Sequence, residues 1–185
     1  MEAMKITTIG RGNVGGGLAR LWRAAGHDVT ELGREGGDAS DADAVLLAVP
    51  SGSIDDALAA VTGLEGKVVI DATNAFHGRA EGFESLAHQV KARTGGPVAK
   101  SFNVNFANAH DAVAKQERRP GNLYAADDEA REVTEQLIRD AGYEPLNAGG
   151  LANARALEDF LGPFFAVSQS LGGPVFYRFG RPGTL

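Results

Sequence analysis

The sequence predicts an α/β fold with a doubly wound, mainly parallel sheet. Three observations carry that prediction. Short apolar runs alternate with amphipathic stretches along most of the chain, the pattern of strands joined by crossover helices. One run, Ala44 to Val49 (AVLLAV), is apolar throughout, as a strand covered on both faces must be. Between the first apolar run and the first amphipathic stretch stand Gly10, Gly12 and Gly15, at the spacing G-x-G-x-x-G.

The elements follow in order. Met4 to Ile9 reads as a strand. Asn13 to Ala25 reads as a helix, because Val14, Leu18, Leu21, Trp22 and Ala25 share one face. Gly26 suits the left-handed residue that ends a helix. Asp28 to Leu32 is a second strand, Ser53 to Val61 a short helix and Val68 to Ala72 a further strand. Phe83 to Arg93 is helical, and Val98 to Phe102 is extended. In the second half, Asn122 to Ala126 reads as a strand and Asp127 to Ala141 as a helix. Asp127, Asp128 and Glu129 favour the positive end of that helix. Gly142 closes it, and Tyr143 to Leu146 is a last strand. Leu157, Phe160, Leu161, Phe164, Phe165 and Leu171 form an apolar stripe at helical spacing, and Pro163 kinks that helix or splits it. The stripe is read as core rather than a cofactor box, with burial against a twofold partner as a further use. The link from Arg34 to Ala44 is too short for another strand and helix. The sheet is therefore expected to be abbreviated, with one strand missing at its edge.

Composition narrows the function. At 185 residues the chain suits a single domain, 1–185, with 151–185 as a helical extension. Net charge −6 argues against general nucleic-acid binding, which needs a basic surface. With no cysteine there is no disulfide framework, thiolate metal site or cysteine nucleophile. No apolar run is long enough to span a membrane, and no signal-peptide pattern opens the chain. A cytoplasmic protein is expected. No pair of histidines has metal-ligand spacing, so no metal is expected.

The glycine loop is weak evidence alone in a chain with 25 glycines. Its context strengthens it: a strand leads in and an amphipathic helix leads out, as a Rossmann dinucleotide fingerprint requires. Gly10 permits the tight turn, Gly12 lets backbone approach a pyrophosphate, and Gly15 lets helix and strand pack closely. The helix N-terminus then faces the phosphates. A glycine-rich turn without a ligand is the bland alternative. The end of the second strand separates NAD from NADP. An acid there would hold the ribose hydroxyls of NAD, but Leu32 and Gly33 occupy the place and Arg34 follows. A guanidinium can pair with the 2′-phosphate of NADP, and Arg11 lies on the same side. Glu31 and Glu35 are the counter-evidence. Glu31 lies early, on the strand, and Glu35 is expected to turn to solvent.

The segments GRGNVGGGLARLWRAAGHDVT, LLAVP, VAKSFNVNFAN and EPLNAGGLANARALEDF together resemble the NADPH-dependent reductases of the deazaflavin coenzyme F-420. They are most similar to a shorter bacterial branch of NADP-binding oxidoreductases. The resemblance runs in the same order over nearly the whole chain. It implies an abbreviated Rossmann domain with a small C-terminal helical part and NADP over the glycine loop. Matching positions are Arg11, Gly12, Asn13 and Val14 in the loop, then Gly33 and Arg34 at the 2′-phosphate. Val49, Pro50 and Ser51 lie along the nicotinamide half. Asn74, Asn103, Val104 and Asn105 line the nicotinamide and the second substrate. The chain departs from the F-420 reductases by its missing edge strand and helix. It also carries asparagines in FNVNF, where those enzymes are more apolar and contain proline.

Hydride transfer between nicotinamide and a flavin-like ring needs few protein groups, because the cofactors carry the chemistry. No side chain is assigned a catalytic role. A carbonyl or imine substrate would need a proton donor, for which Lys100, His77 and His110 are the candidates. Lys100 reads more readily as a salt-bridged or snorkelling lysine than as a catalyst, and Asp71 as a hydrogen-bond acceptor. His27 and His88 are expected at the surface. Asn103 and Asn105 either face a ligand or cap turns. Three readings stand: an NADP(H) oxidoreductase with a flavin or deazaflavin acceptor, an NADPH-dependent reductase of a small carbonyl or imine, and a non-catalytic NADP(H) sensor. A homodimer is expected in each.

Overall fold

The computed structural model describes residues 3–76 and 78–183. Strand β1 (Lys5–Ile9) leads through the glycine loop into helix α1 (Asn13–Ala24), and Gly26, at φ 98°, turns the chain into β2 (Asp28–Leu32). Then come β3 (Gly37–Asp38), β4 (Ala44–Leu47), α2 (Ile54–Ala59), β5 (Val61–Thr62), β6 (Val68–Asp71), α3 (Leu86–Thr94) and β7 (Val98–Ser101). The chain continues through β8 (Gly121–Ala126), α4 (Asp128–Asp140), β9 (Glu144–Asn147), α5 (Ala154–Asp159) and α6 (Leu161–Ser170).

Among the described residues, seven strands form the main sheet in the order β2-β1-β4-β6-β7-β8-β9. Pairing is parallel from β2 to β7. Strand β8 runs antiparallel to β7, and β9 runs parallel to β8. The reversal arises because a run of 3-10 turns, Ala107–Lys115, stands between β7 and β8 where a crossover α-helix would restore direction.

Alternation along the strands sends side chains to two cores. Leu46 and Ile70 join Leu18, Trp22, Leu137 and Ile138 under α1 and α4. Val45, Leu47, Val69 and Val98 join Ile54, Leu58, Leu86 and Ala154 under α2, α3 and α5. Helices thus cover both faces, and β4 is buried throughout.

The missing edge strand is real: β2 ends the sheet. Its open edge is blunted by Arg23, which donates to the Val29 carbonyl at 2.6 Å and pairs with Glu31 at 2.6 Å. The short link after Arg34 is not wholly irregular. It carries β3, which pairs with β5 in a separate two-stranded parallel sheet.

Other departures are local. Helix α3 begins at Leu86, not Phe83, because Ser85 is its cap and accepts from the His88 N–H at 3.2 Å. Helix α2 stops at Ala59, and Val61 passes into β5. The aromatic stripe divides at Phe160, with Pro163 in the first turn of α6, where its missing N–H is no loss. His27 is buried, not exposed. Its Nδ1 accepts from the Met4 N–H at 3.1 Å, which leaves Nε2 to donate to Asp140 at 2.9 Å. His88 is half-buried against Ser85.

Candidate functional site

The residues singled out from the sequence follow the carboxyl ends of five neighbouring parallel strands. Gly10, Arg11 and Gly12 follow β1, and Asn13, Val14 and Gly15 form the first turn of α1. Gly33 and Arg34 follow β2. Val49, Pro50 and Ser51 follow β4, Asn74 follows β6, and Asn103, Val104 and Asn105 follow β7. An open parallel sheet binds its ligands along this edge.

Each glycine of the loop has a distinct reason to be glycine. Gly10 has φ +101°, and a Cβ there would lie 2.3 Å from the Ala48 carbonyl oxygen. At Gly15 a Cβ would lie 1.8 Å from the Gly10 carbonyl oxygen, so the helix packs against its own loop. Gly12 differs, because nothing lies within 4 Å of a Cβ built there. That open space adjoins a helix whose N-terminus has no side-chain cap and no acid in its first turn. The arrangement fits a pyrophosphate, whose oxygens would meet the free N–H groups.

Beside this loop Gly10 N–H donates to the Leu32 carbonyl at 2.9 Å, fixing the end of β1 against the end of β2. Arg34 is exposed and has no partner among the described residues. Arg11 is engaged. Its Nη1 lies 3.2 Å from Glu35 Oε1, and its Nη2 lies 3.4 Å from Glu35 Oε2. Glu35 thus turns to Arg11 while staying largely exposed to solvent. Glu31 is held by Arg23. The end of β2 itself carries no acid, since Leu32 and Gly33 stand there, and the carboxylate that reaches over Gly33 is that of Glu35, engaged by Arg11.

The other end of the crevice has a different texture. A cleft of about 140 Å³ opens above β6 and β7. Asn74, Asn103, Val104 and Asn105 line it together with Phe76, Phe106, Phe164 and Phe165. Phe106 stacks on Phe164 with centroids 5.1 Å apart and meets Phe165 edge-on at 5.3 Å. Phe76 is 66% exposed and leans on Phe165. The stripe therefore walls a cleft, and of its residues Leu157 and Phe164 are buried. The sequence did not mark Phe76 or Phe106 as cleft residues. Their spacing follows no helical or strand period, because each sits on a separate loop.

The asparagines line the cleft and are tied to the fold through their amide groups. Asn74 Nδ2 donates to the Asn103 carbonyl at 2.9 Å, and Asn103 Nδ2 donates to Asn74 Oδ1 at 3.1 Å and to the Leu157 carbonyl at 3.1 Å. Asn105 Nδ2 donates to the Gly121 carbonyl at 3.0 Å. Both Oδ1 atoms, of Asn103 and Asn105, are buried without a partner, and so is the Ser51 hydroxyl. Such orphaned acceptors beside a cleft await donors. Phe102 sets this loop. It has φ 60°, alone among non-glycine described residues, and its ring packs edge-on against Trp22 at 5.8 Å and Tyr143 at 6.4 Å. The left-handed turn sends Phe102 into the core, and the next residue, Asn103, faces the cleft.

Two of the candidate proton donors, Lys100 and His110, lie elsewhere. Lys100 is 0% exposed, and its Nζ lies 2.8 Å from Asp71, 3.1 Å from Glu158 and 2.6 Å from the Thr73 carbonyl. Glu158 also accepts from the Leu86 N–H at 2.8 Å and pairs with Arg79 at 2.7 Å. This buried network fastens α5 to the sheet beneath the cleft. Asp71 accepts from the Thr73 N–H at 2.8 Å. His110 is buried under α1, its Nδ1 2.7 Å from the Tyr143 hydroxyl, and burial pushes its pKa down to about 4. His77 lies outside the described residues.

With this geometry in hand, known proteins can be set beside the chain. No protein-family model and no curated protein sequence matches it. Solved structures do. A candidate F420-dependent NADP reductase from Arthrobacter sp. FB24 is similar with a TM-score of 0.82 and 22% identity, over 97% of this chain and 100% of its own. A hypothetical protein from Sinorhizobium meliloti is similar with a TM-score of 0.69 and 24% identity, over 97% of both chains. A reductive aminase from Aspergillus terreus, in complex with NADPH and ethyl levulinate, gives a TM-score of 0.66 at 15% identity, over 92% of this chain and 64% of that one. The chain has a Rossmann-like fold. In this Rossmann-like sheet the five loops line the carboxyl edge, from glycine loop to aromatic cleft. Among the described residues no helix is long and apolar enough to cross a membrane.

Proposed function

We infer that the protein is an NADP(H)-dependent oxidoreductase whose acceptor is a flat flavin or deazaflavin ring. The observation that carries this reading is the lining of the cleft. It holds aromatic rings, aliphatic groups and amides, and none of its described lining residues is an acid or a base. When bound, the nicotinamide would supply a hydride, which the acceptor ring takes up with a solvent proton. The chain's part is placement. The glycine loop and α1 hold the pyrophosphate, and Arg34 takes the 2′-phosphate. Ser51 and the asparagines offer acceptors at the reacting end, and Phe76, Phe106 and Phe165 offer faces for a ring to lie against. The fold of NADPH-bound reductases supports the coenzyme, and the likeness to the Arthrobacter protein supports the acceptor class.

The first test mixes purified protein with NADPH and oxidised coenzyme F-420 and follows the loss of deazaflavin absorbance. FMN, FAD and NADH run in parallel. Bleaching with NADPH and a flavin-like acceptor is the expected result. A carbonyl or imine substrate becomes the better reading if only such compounds are turned over and His77→Ala abolishes it. Tight NADPH binding with no turnover of any acceptor points to a sensor. The same reading includes a homodimer built on α6, because Val167 and Leu171, one turn apart in α6 and just past its end, are exposed, as are Phe76 and Phe179. Light scattering at the monomer mass removes that part.

A further inference from the structure

Arg11 and Glu35 form a two-point pair across the mouth of the adenosine end of the crevice. Resting on the dinucleotide reading above, the geometry points to Glu35 as a residue that limits preference for NADP over NAD. It does so by competing with the 2′-phosphate for Arg11.

Three observations build this assignment. The first is alignment. Both nitrogens of the Arg11 fork face the two Glu35 oxygens, at 3.2 Å and 3.4 Å, the same double contact a phosphate would make. The second is the surface beneath. A Cβ at Gly33 would lie 2.7 Å from Arg11 Cζ and 2.5 Å from Glu35 Oε2. Only the bare backbone of glycine lets both side chains lie down over the end of β2. The third is contrast. Arg34, which follows Gly33 in the chain, has no carboxylate partner among the described residues, so of the two arginines on the loops after β1 and β2 one is paired and one is not.

A phosphate arriving at Arg34 finds Arg11 occupied by Glu35. Arg11 must leave Glu35 to reach it. NAD carries a hydroxyl at that position and has no such competition. Glu35 therefore weakens NADP binding without touching NAD. Both side chains are 61% exposed, so the pair is soft and the effect modest.

The test is titration calorimetry with NADP+ and NAD+ on the unaltered protein, Glu35→Gln, Arg11→Ala and the double variant. The substitutions are at the surface, and melting temperatures verify that the fold is kept. Glu35→Gln is expected to tighten NADP+ by about two- to fivefold, the range of an exposed ion pair, and to leave NAD+ within about twofold. The gain shrinks in high salt, which screens exposed charges. In the Arg11→Ala background, Glu35→Gln is expected to change NADP+ binding by less than about twofold, as lost coupling requires. An unchanged NADP+ affinity in Glu35→Gln overturns the inference. So does a gain that persists without Arg11, which would make Glu35 a bare repulsive charge. Failure of the unaltered protein to bind either coenzyme overturns the dinucleotide reading itself and this inference with it.

Discussion

The two ends of the crevice are built on opposite plans. At the glycine loop the exposed groups are backbone N–H groups and guanidinium groups, and little is stacked on them. At the cleft the lining groups are amides and packed rings, tied through α5 to a buried charge network. The difference teaches where function and stability are separable. A side chain at the first end can be removed with the fold intact. At the second, removing what lies beneath the floor disturbs the fold before it disturbs binding.

The sharpest way to break this comparison is Lys100→Ala. Lys100 is shared by Asp71 and Glu158, both fully buried at the side chain. Its loss leaves Asp71 buried without a cation and Glu158 with Arg79 alone, expected to cost about 3–5 kcal/mol. Urea denaturation measures it, and a loss under about 1 kcal/mol would show that charges do not fasten the cleft floor.

Next is Arg34→Ala, the mirror case. NADPH affinity should fall by about one to two decades, roughly 1.5–3 kcal/mol, while stability changes by less than about 0.5 kcal/mol. Fluorescence titration and a thermal melt give both numbers. Equal weakening of NADH would show that Arg34 does not read the 2′-phosphate.

A third prediction concerns pH and the packing under α1. Burial lowers the His110 pKa from 6.5 to about 4. The unfolded chain therefore binds the proton more readily, and this group's stabilising share is complete above pH 6.5 and lost as pH falls toward 4. At pH 5 the protein should be less stable than at pH 8 by about 2 kcal/mol through this residue. Denaturant midpoints at the two pH values check it, and in His110→Gln that share of the difference should vanish.

The smallest effect is Phe76→Ala. At 66% exposure its ring contributes little to the fold, under about 0.5 kcal/mol. As a wall of the cleft it should still raise the acceptor KM by about two- to tenfold, the range of one ring contact. An unchanged KM would sharpen the comparison by confining the acceptor to Phe106 and Phe165.

Much of the frame was legible in the residues. The apolar run of β4, the periodicity of α1 and α4, the break before Pro163 and the short link that ends the sheet at β2 all appear where local pattern places them. What escaped depends on partners far along the chain. His27 follows a helix-ending glycine and reads as a loop residue, yet Asp140 covers it from the end of α4. The pairing of β3 with β5 joins two short pieces, each without a period of its own. Glu35 reads as solvent-facing because its partner Arg11 lies on another loop.

The sequence by itself determined the fold class, the order of most elements and the glycine loop, because periodicity, turn chemistry and close backbone packing are local constraints. Only the tertiary structure decided that the aromatic stripe walls a cleft, that Lys100 is sealed in a salt-bridge network and that Arg11 is held by a carboxylate. Those outcomes depend on which surfaces meet, and burial and charge pairing are settled between elements distant in the chain.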